Sequence, residues 1–280
     1  MPSLYRRCGR TLDGHGRIAQ LGEHGPYKAG VAGSSPAPPT TKLKGDVGAM
    51  ASGDDEWFAD EQVEKILRLA GVGGGTVLDL CCGPGRHAVA LAKRGFAVTA
   101  VDRTPFLLDQ ARARAAHASL PVEFVLEDMR RFSRPATFDL IINFFTSFGY
   151  FDDQADDLRV LELVRENLRP GGVFVLEMVS KEGLARAFQA TTSRELPNGH
   201  VLFQRHEIVD DWSGIRNRWT LIGPGSTRTF AFTHRIYSGQ EMKDLLTKAG
   251  LRDARAYGDL DGSSYGFDAQ RLVAVARRSV

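Results

Sequence analysis

The run Val77-Leu78-Asp79-Leu80-Cys81-Cys82-Gly83-Pro84-Gly85-Arg86-His87 is where this chain is equipped for chemistry. Glycines at 83 and 85 let backbone approach a ligand, and a helix that starts just after them offers free N–H groups. Asp102 follows 17 residues after Gly85, where a carboxylate grips a ribose diol in nucleotide-binding α/β folds. Taken alone the loop is ambiguous, because Gly83-Pro84-Gly85-Arg86-His87-Ala88 also fits the loose G-x-G-x-x-A dinucleotide fingerprint. Three features tilt the choice away from a pyrophosphate. Asp79 stands four residues before Gly83, where a carboxylate repels phosphate and attracts an ammonium group. Glu127-Asp128-Met129 places another acid where an adenine amino group can donate to it. Leu168-Arg169-Pro170-Gly171-Gly172 precedes a further apolar run, Val173 to Val179.

The elements around these residues follow from hydrophobic periodicity. Phe58, Val63, Ile66, Leu67 and Ala70 fall on one face of a helix from Glu56 to Ala70. Strands are expected at Thr76 to Cys81, Ala97 to Val101, Val122 to Leu126, Phe138 to Phe144 and Val173 to Val179. Helices are expected between them at Arg86 to Arg94, Thr104 to His117 and Asp152 to Leu168, with Arg169 to Gly172 as a turn. Alternation of this kind makes a doubly wound parallel sheet. After Ser180 the pattern changes. A short helix at Gly183 to Ala190 precedes strands at His200 to Val209, Ile215 to Ile222 and Thr227 to Tyr237, an antiparallel meander. A helix at Gln240 to Ala249 and strands at Ala254 to Tyr257 and Leu272 to Ala276 close the chain. The fold expected is α/β: a Rossmann-like seven-stranded sheet with a β-meander inserted at about 198–237.

Together these residues resemble a class I S-adenosylmethionine-dependent methyltransferase, over residues from about 56 to 278. The resemblance implies S-adenosylmethionine as cofactor. It implies that Asp79, Cys81 and Gly83 line its methionine part, with Gly85 in the same cofactor-binding loop, and that Asp102 binds the ribose hydroxyls with Arg103 beside the adenine. Asp128 and Met129 would hold the adenine edge and face, and Asn143 and Phe144 would face the sulfonium. Cys81 departs from the pattern: it occupies the first glycine position of the usual D-x-G-x-G-x-G loop. The segment Asn143 to Phe151 resembles a subgroup acting on small or unassigned molecules and is unlike the Asn-Pro-Pro-Tyr motif of many nucleobase methylases.

Methyl transfer is an in-line displacement that gains most from positioning, and a hydroxyl or ammonium acceptor also needs a base. Candidates are His206 and His234 in the meander and Tyr150 after the fourth strand. Asp259, Asp261 and Tyr265 belong to a late loop that could close over the same pocket. Two other functions remain open at this point: an NAD(P)-dependent oxidoreductase, and a non-catalytic cofactor-binding module.

Composition narrows the partners. The 280 residues are 42% hydrophobic and 25% charged, with a net charge of +2, an ordinary globular balance. No run of about 18 apolar residues occurs, so no membrane helix is expected. Cys8, Cys81 and Cys82 make neither a disulfide scaffold nor a zinc site, so no metal is expected. The start lacks an apolar signal region, which makes the cytoplasm the default compartment. Residues 1–49 carry 7 Lys+Arg against 3 Asp+Glu, while residues 50–280 carry 29 against 31. With the first stretch set aside no basic groove remains, so a small-molecule acceptor is expected rather than nucleic acid, in a monomer or homodimer.

Residues 1–49 hold 5 of the 12 prolines and 9 of the 30 glycines, without hydrophobic period; alone they should be disordered. A flexible tail, a basic nucleic-acid arm and a transit peptide compete with a fourth reading from the codons. Gly33-Ser34-Ser35-Pro36 can be written GGT-TCG-AGC-CCN, like the T-arm of a tRNA gene. Ile18-Ala19-Gln20-Leu21-Gly22 can be written ATA-GCT-CAG-TTG-GGN, like a D-arm. Tyr27-Lys28 fits an anticodon loop and Pro39-Thr40 a terminal CCA. Residues from about 15 to 41 therefore read as a translated tRNA gene, with Met50 as the native start.

Overall fold

The computed structural model describes residues 54–196 and 198–280, with side chains from Phe58 onward; the expectations for residues 1–49 lie outside them. The helices are α1 (Asp54–Ala70), α2 (Arg86–Lys93), α3 (Pro105–His117), α4 (Gln154–Asn167), α5 (Lys181–Ala187) and α6 (Gly239–Lys248). The strands of the main sheet are β1 (Thr76–Leu80), β2 (Ala97–Asp102), β3 (Val122–Leu126), β4 (Phe138–Asn143), β5 (Leu168–Met178), β10 (Arg252–Tyr257) and β11 (Leu272–Arg277). Between them come β6 (Thr191–Glu195), β7 (Val201–Val209), β8 (Gly214–Gly223) and β9 (Ser226–Arg235), which form a second sheet.

The main sheet runs β10-β11-β5-β4-β1-β2-β3. Strands β1 to β5 pair with one another in parallel, and β11 is antiparallel to both β5 and β10. This is the expected seven-stranded doubly wound sheet. Side chains alternate across it, as a pleated strand requires. Leu78 and Leu80 of β1 pack with Val160, Leu161 and Val164 of α4 and with Met242 and Leu246 of α6. Val77 packs on the opposite face with Val63 and Ile66 of α1, Leu91 of α2 and Leu108 of α3. Asp79 shares the Val77 face and therefore points toward α2. The chain leaves β1 for β2 and β3 on one side and returns to β4 on the other. That reversal leaves a crevice beyond the carboxyl ends of β1 and β4.

Helix starts carry their expected chemistry. Asp153 accepts the Ala155 amide at 2.8 Å ahead of α4, and Ser238 with Glu241 makes a reciprocal capping box on α6, each satisfying otherwise orphaned N–H groups. Among the described residues no helix is long and apolar enough to cross a membrane.

Three expectations need correction. Arg169 to Gly172 is not a free turn but part of β5. The register jumps from Phe138↔Leu168 to Leu140↔Val173, and the extra residues bulge out, tied down by Gly171 N to Arg278 O and Arg278 N to Gly172 O. The short helix runs Lys181–Ala187 rather than 183–190, because Ser180 caps it by accepting the Gly183 amide. The inserted sheet has four strands and spans 191–235 rather than 198–237. The added strand, Thr191–Glu195, has no apolar alternation to announce it, and Ile236 and Tyr237 leave the sheet to be buried beside α5 and α6.

Candidate functional site

The backbone swings off β1 at Cys81. The amides of Cys81 and Cys82 both donate to Val101 O, at 2.8 and 2.9 Å, and Cys81 takes φ +68°. That left-handed conformation is what the glycine usual at this place would adopt freely, whereas Cβ makes it costly for cysteine. The Cys81 thiol meets Met129 Sδ at 3.5 Å. Gly83 N donates to Asp102 Oδ2 at 2.9 Å, and Asp102 Oδ1 accepts the Thr104 amide at 2.8 Å. Gly85 precedes α2 with φ +78°, and a Cβ there would stand 2.7 Å from the Ala111 methyl carbon. A glycine is therefore required both for the turn and for the approach of α3.

Asp79 is the electrostatic oddity. It is fully buried, its Oδ2 has no hydrogen-bond partner, and burial together with the neighbouring Asp102 charge pushes its carboxyl up to about 7. Burial also raises Asp102, against which its two backbone donors pull downward. A second orphaned acceptor, Asn143 Oδ1, lies at the end of β4, while Asn143 Nδ2 donates to Leu80 O at 2.9 Å. Two buried acceptors without donors, at adjacent strand ends, suit a ligand that brings N–H groups.

On the β2–β3 side a cleft is lined by Cys81, Arg103, Asp128, Met129, Tyr150 and Phe151. Asp128 is held by Arg130, whose Nη2 donates to Oδ2 at 2.8 Å and whose Nε donates to Oδ1 at 3.1 Å. Burial works against the ionised form, but these bonds outweigh it and hold the carboxyl below its ordinary range. Arg130 also reaches Asp156 on α4 at 2.9 Å and lies over the Phe151 ring, 4.4 Å from its centroid. It fastens the segment after β4 to the rim of the cleft.

That segment is strained. Phe145 and Thr146 both have positive φ, +59° and +53°. The conformation is fixed by the buried Glu177 at the end of β5, whose Oε2 accepts the Phe145 amide at 2.8 Å and whose Oε1 accepts from Arg271 at 3.0 Å. Such strain persists where surroundings over-determine it, commonly at functional sites. Phe144 does not open into the cleft. It is buried toward α2, its ring 5.3 Å from that of His87, which also stacks on Phe145 at 5.4 Å. His87 is bonded to Gln62 at 3.0 Å, and burial lowers its pKa to about 3.

The meander contributes a polar row on its buried face. His206 Nδ1 lies 2.7 Å from Asn217 Oδ1, and Asn217 Nδ2 lies 3.4 Å from His234 Nδ1. Tyr150 stacks on His234 with ring centroids 4.8 Å apart. Since Tyr150 also lines the cleft, one ring separates the meander histidines from the Met129 side of the site. The three candidates for acid–base work thus come together, although 84 positions separate Tyr150 from His234 in the chain. The late loop does not join them: Tyr265 donates to Glu182 Oε2 at 2.7 Å, and Asp259 lies 3.8 Å from Arg271. Sequence reasoning missed the clamping roles of Arg130 and Glu177, because neither spacing nor residue type distinguishes them from surface charges.

Residues 77–172 match the model of a methyltransferase domain. A Bacillus subtilis (strain 168) protein named as methyltransferase YqeM is 25% identical over 210 residues, 73% of this chain and 85% of that one. An S-adenosylmethionine-dependent methyltransferase from Clostridium acetobutylicum ATCC 824 has the same fold with a TM-score of 0.68 at 16% identity, covering 85% of this chain and 96% of its own. The sugar N-methyltransferase KedS8 from Streptoalloteichus sp ATCC 53650 gives 0.65 at 19% identity, over 95% of this chain and 100% of its own.

Proposed function

We propose that this chain, which carries a match to a methyltransferase domain over residues 77–172, is a class I S-adenosylmethionine-dependent methyltransferase that methylates a small molecule seated between the strand ends and the buried face of the meander, with residues 50–280 working as one domain. The observation that carries this reading is the Tyr150–His234 stack, which brings the polar row of the meander to the rim of the cleft that Tyr150 lines. The match of KedS8 over the whole of its length supports it: that protein is a sugar N-methyltransferase. So does the slight negative charge of residues 50–280, which disfavours a nucleic-acid acceptor.

S-adenosylmethionine, when bound, would supply an electrophilic sulfonium methyl group to the acceptor's lone pair. The residues fit that ligand. Asp79, Cys81, Gly83 and Gly85 form the wall for its methionine part, where the orphaned Asp79 and Asn143 oxygens suit an ammonium group. Asp102 keeps unshared lone pairs for ribose hydroxyls, Arg103 flanks the adenine, and Asp128 with Met129 takes the adenine edge and face. Phe144 acts from behind, by buttressing the strained turn. Tyr150 and Phe151 exclude water from the reacting atoms, and His206 or His234 takes the acceptor's proton where the acceptor is a hydroxyl or an ammonium ion.

The test is a metabolite extract incubated with methyl-labelled S-adenosylmethionine. Labelled small molecules are expected, and they should vanish with Tyr150→Ala while calorimetry still shows cofactor binding. Label confined to protein or nucleic acid overturns the acceptor class, and affinity for NAD without affinity for S-adenosylmethionine overturns the cofactor assignments.

A further inference from the structure

Asn217 lies between two histidines, and its amide cannot treat them alike. It is buried on β8, opposite His206 of β7 and beside His234 of β9. The side-chain oxygen only accepts and the side-chain nitrogen only donates. Its orientation is set by a third group: Asn217 Nδ2 lies 3.4 Å from the carbonyl of Ile215, which can only accept. The nitrogen therefore faces Ile215 O and His234 Nδ1, and the oxygen faces His206 Nδ1 at 2.7 Å.

We infer that Asn217 is a positioning residue that holds His206 and His234 in opposite tautomers, giving the acceptor site one proton-accepting and one proton-donating imidazole edge. This rests on the methyl-transfer reading above and deepens it. His206 must carry its proton on Nδ1, so its Nε2 lone pair is bare. His234 must present a bare Nδ1, so its Nε2 carries hydrogen. Both rings meet Asn217 through Nδ1, which leaves their Nε2 atoms on the far edges. His206 gains a proton on Nε2 from an acceptor O–H or N–H without losing its bond to Asn217, whereas a proton on His234 Nδ1 would collide with the Asn217 N–H. The remaining residues of that face on β7, β8 and β9 include Gln204, Trp219, Phe232 and Arg228 and no carboxylate, and Tyr150 covers His234. Burial and the adjacent His206 accordingly lower His234 to about 4. The pair of edges suits a protic acceptor that also carries a group able to accept a hydrogen bond from His234.

Nitrogen-15 NMR of the histidine rings tests this in the full chain without any acceptor, with peaks assigned from His206→Gln and His234→Gln. The expected spectrum shows Nδ1–H on His206 and Nε2–H on His234. Asn217→Asp, which replaces the donor by an acceptor, should switch His234 to Nδ1–H and leave His206 as it was. Nε2–H on His206, or a His234 signal unmoved by Asn217→Asp, overturns the inference even if methyl transfer is real. With an acceptor found by the extract experiment, Asn217→Leu should lower kcat at least tenfold and leave the S-adenosylmethionine Kd within twofold. An unchanged kcat overturns the role, and a matching loss of cofactor affinity reduces Asn217 to a structural part.

Discussion

Asp102 Oδ2 accepts the amide of Gly83 at 2.9 Å, so the carboxylate that ends β2 also fastens the loop that ends β1. Its other oxygen holds the Thr104 amide at the entry to α3. The residue that should grip the ribose thus shapes the loop beside it as well. Asp102→Ala removes charge-assisted bonds to both backbone and ligand. The expected loss of cofactor affinity is about 1–3 kcal/mol, roughly a tenfold to hundredfold rise in Kd by calorimetry. An unchanged Kd would refute the assignment.

The Asp79 carboxyl should make cofactor binding pH-dependent. Burial and Asp102 raise its pKa from 3.8 to about 7 in the folded protein. The folded state therefore holds a proton that the unfolded chain releases, and its contribution to stability is full below about pH 4 and lost as pH rises through about 7. A cationic ligand favours the ionised form. Binding of S-adenosylmethionine should strengthen from pH 6 to 8 and release protons, read as a dependence of binding enthalpy on buffer ionisation enthalpy. Asp79→Asn should abolish both the proton release and the pH slope. Release that persists in the variant would place the proton elsewhere.

How much of this was legible beforehand depends on where the information sits. The β1 loop was readable because its glycines, acids and spacing are set by local backbone demands. The buried runs of β4 and β5 were readable because both faces are covered. β6 was not, since Thr191–Glu195 is held by pairing with β7 rather than by an apolar face of its own. Arg169–Gly172 reads as a turn because Pro-Gly-Gly is turn chemistry, yet the backbone bonds of Gly171 and Gly172 to Arg278 stitch it to the sheet. His206 and His234 could be named singly, but their connection through Asn217 depends on β7–β8–β9 register, which composition does not encode.

Cys81 tests the cost of departing from glycine. A residue with Cβ in the left-handed region pays about 1–2 kcal/mol, partly offset by the smaller chain entropy it loses relative to glycine. Cys81→Gly should therefore leave thermal stability equal or slightly higher, minus the thiol contact with Met129. Cys81→Val adds a β-branched side chain at φ +68° and should lower stability by about 1–2 kcal/mol, measured by denaturant unfolding. A valine variant as stable as the parent would mean that the turn relaxes freely and the strain is not stored there.

Arg235 anchors the meander to the segment over the cleft. It pairs with the fully buried Asp157 of α4 and donates to the carbonyls of Phe151 and Asp152 at 3.0 and 3.1 Å, while Tyr237 donates to the same Asp157 oxygen at 2.6 Å. Asp157 Oδ1 has no partner, and burial raises the Asp157 carboxyl despite the two donors. Removing only the cation leaves a buried carboxylate under-satisfied, so Arg235→Met should cost about 3–5 kcal/mol. Exchanging the whole cluster for apolar groups, in Asp157→Leu/Arg235→Met/Tyr237→Phe, removes that penalty and should recover most of the loss. It cannot restore the bonds to Phe151 and Asp152. Hydrogen exchange should therefore stay faster around residues 149–153 in the triple variant than in the parent, and the acceptor KM should rise with it, because that segment carries Tyr150 and Phe151. Parent-like exchange in the triple variant would show that packing alone holds the segment down and that the arginine is not its anchor.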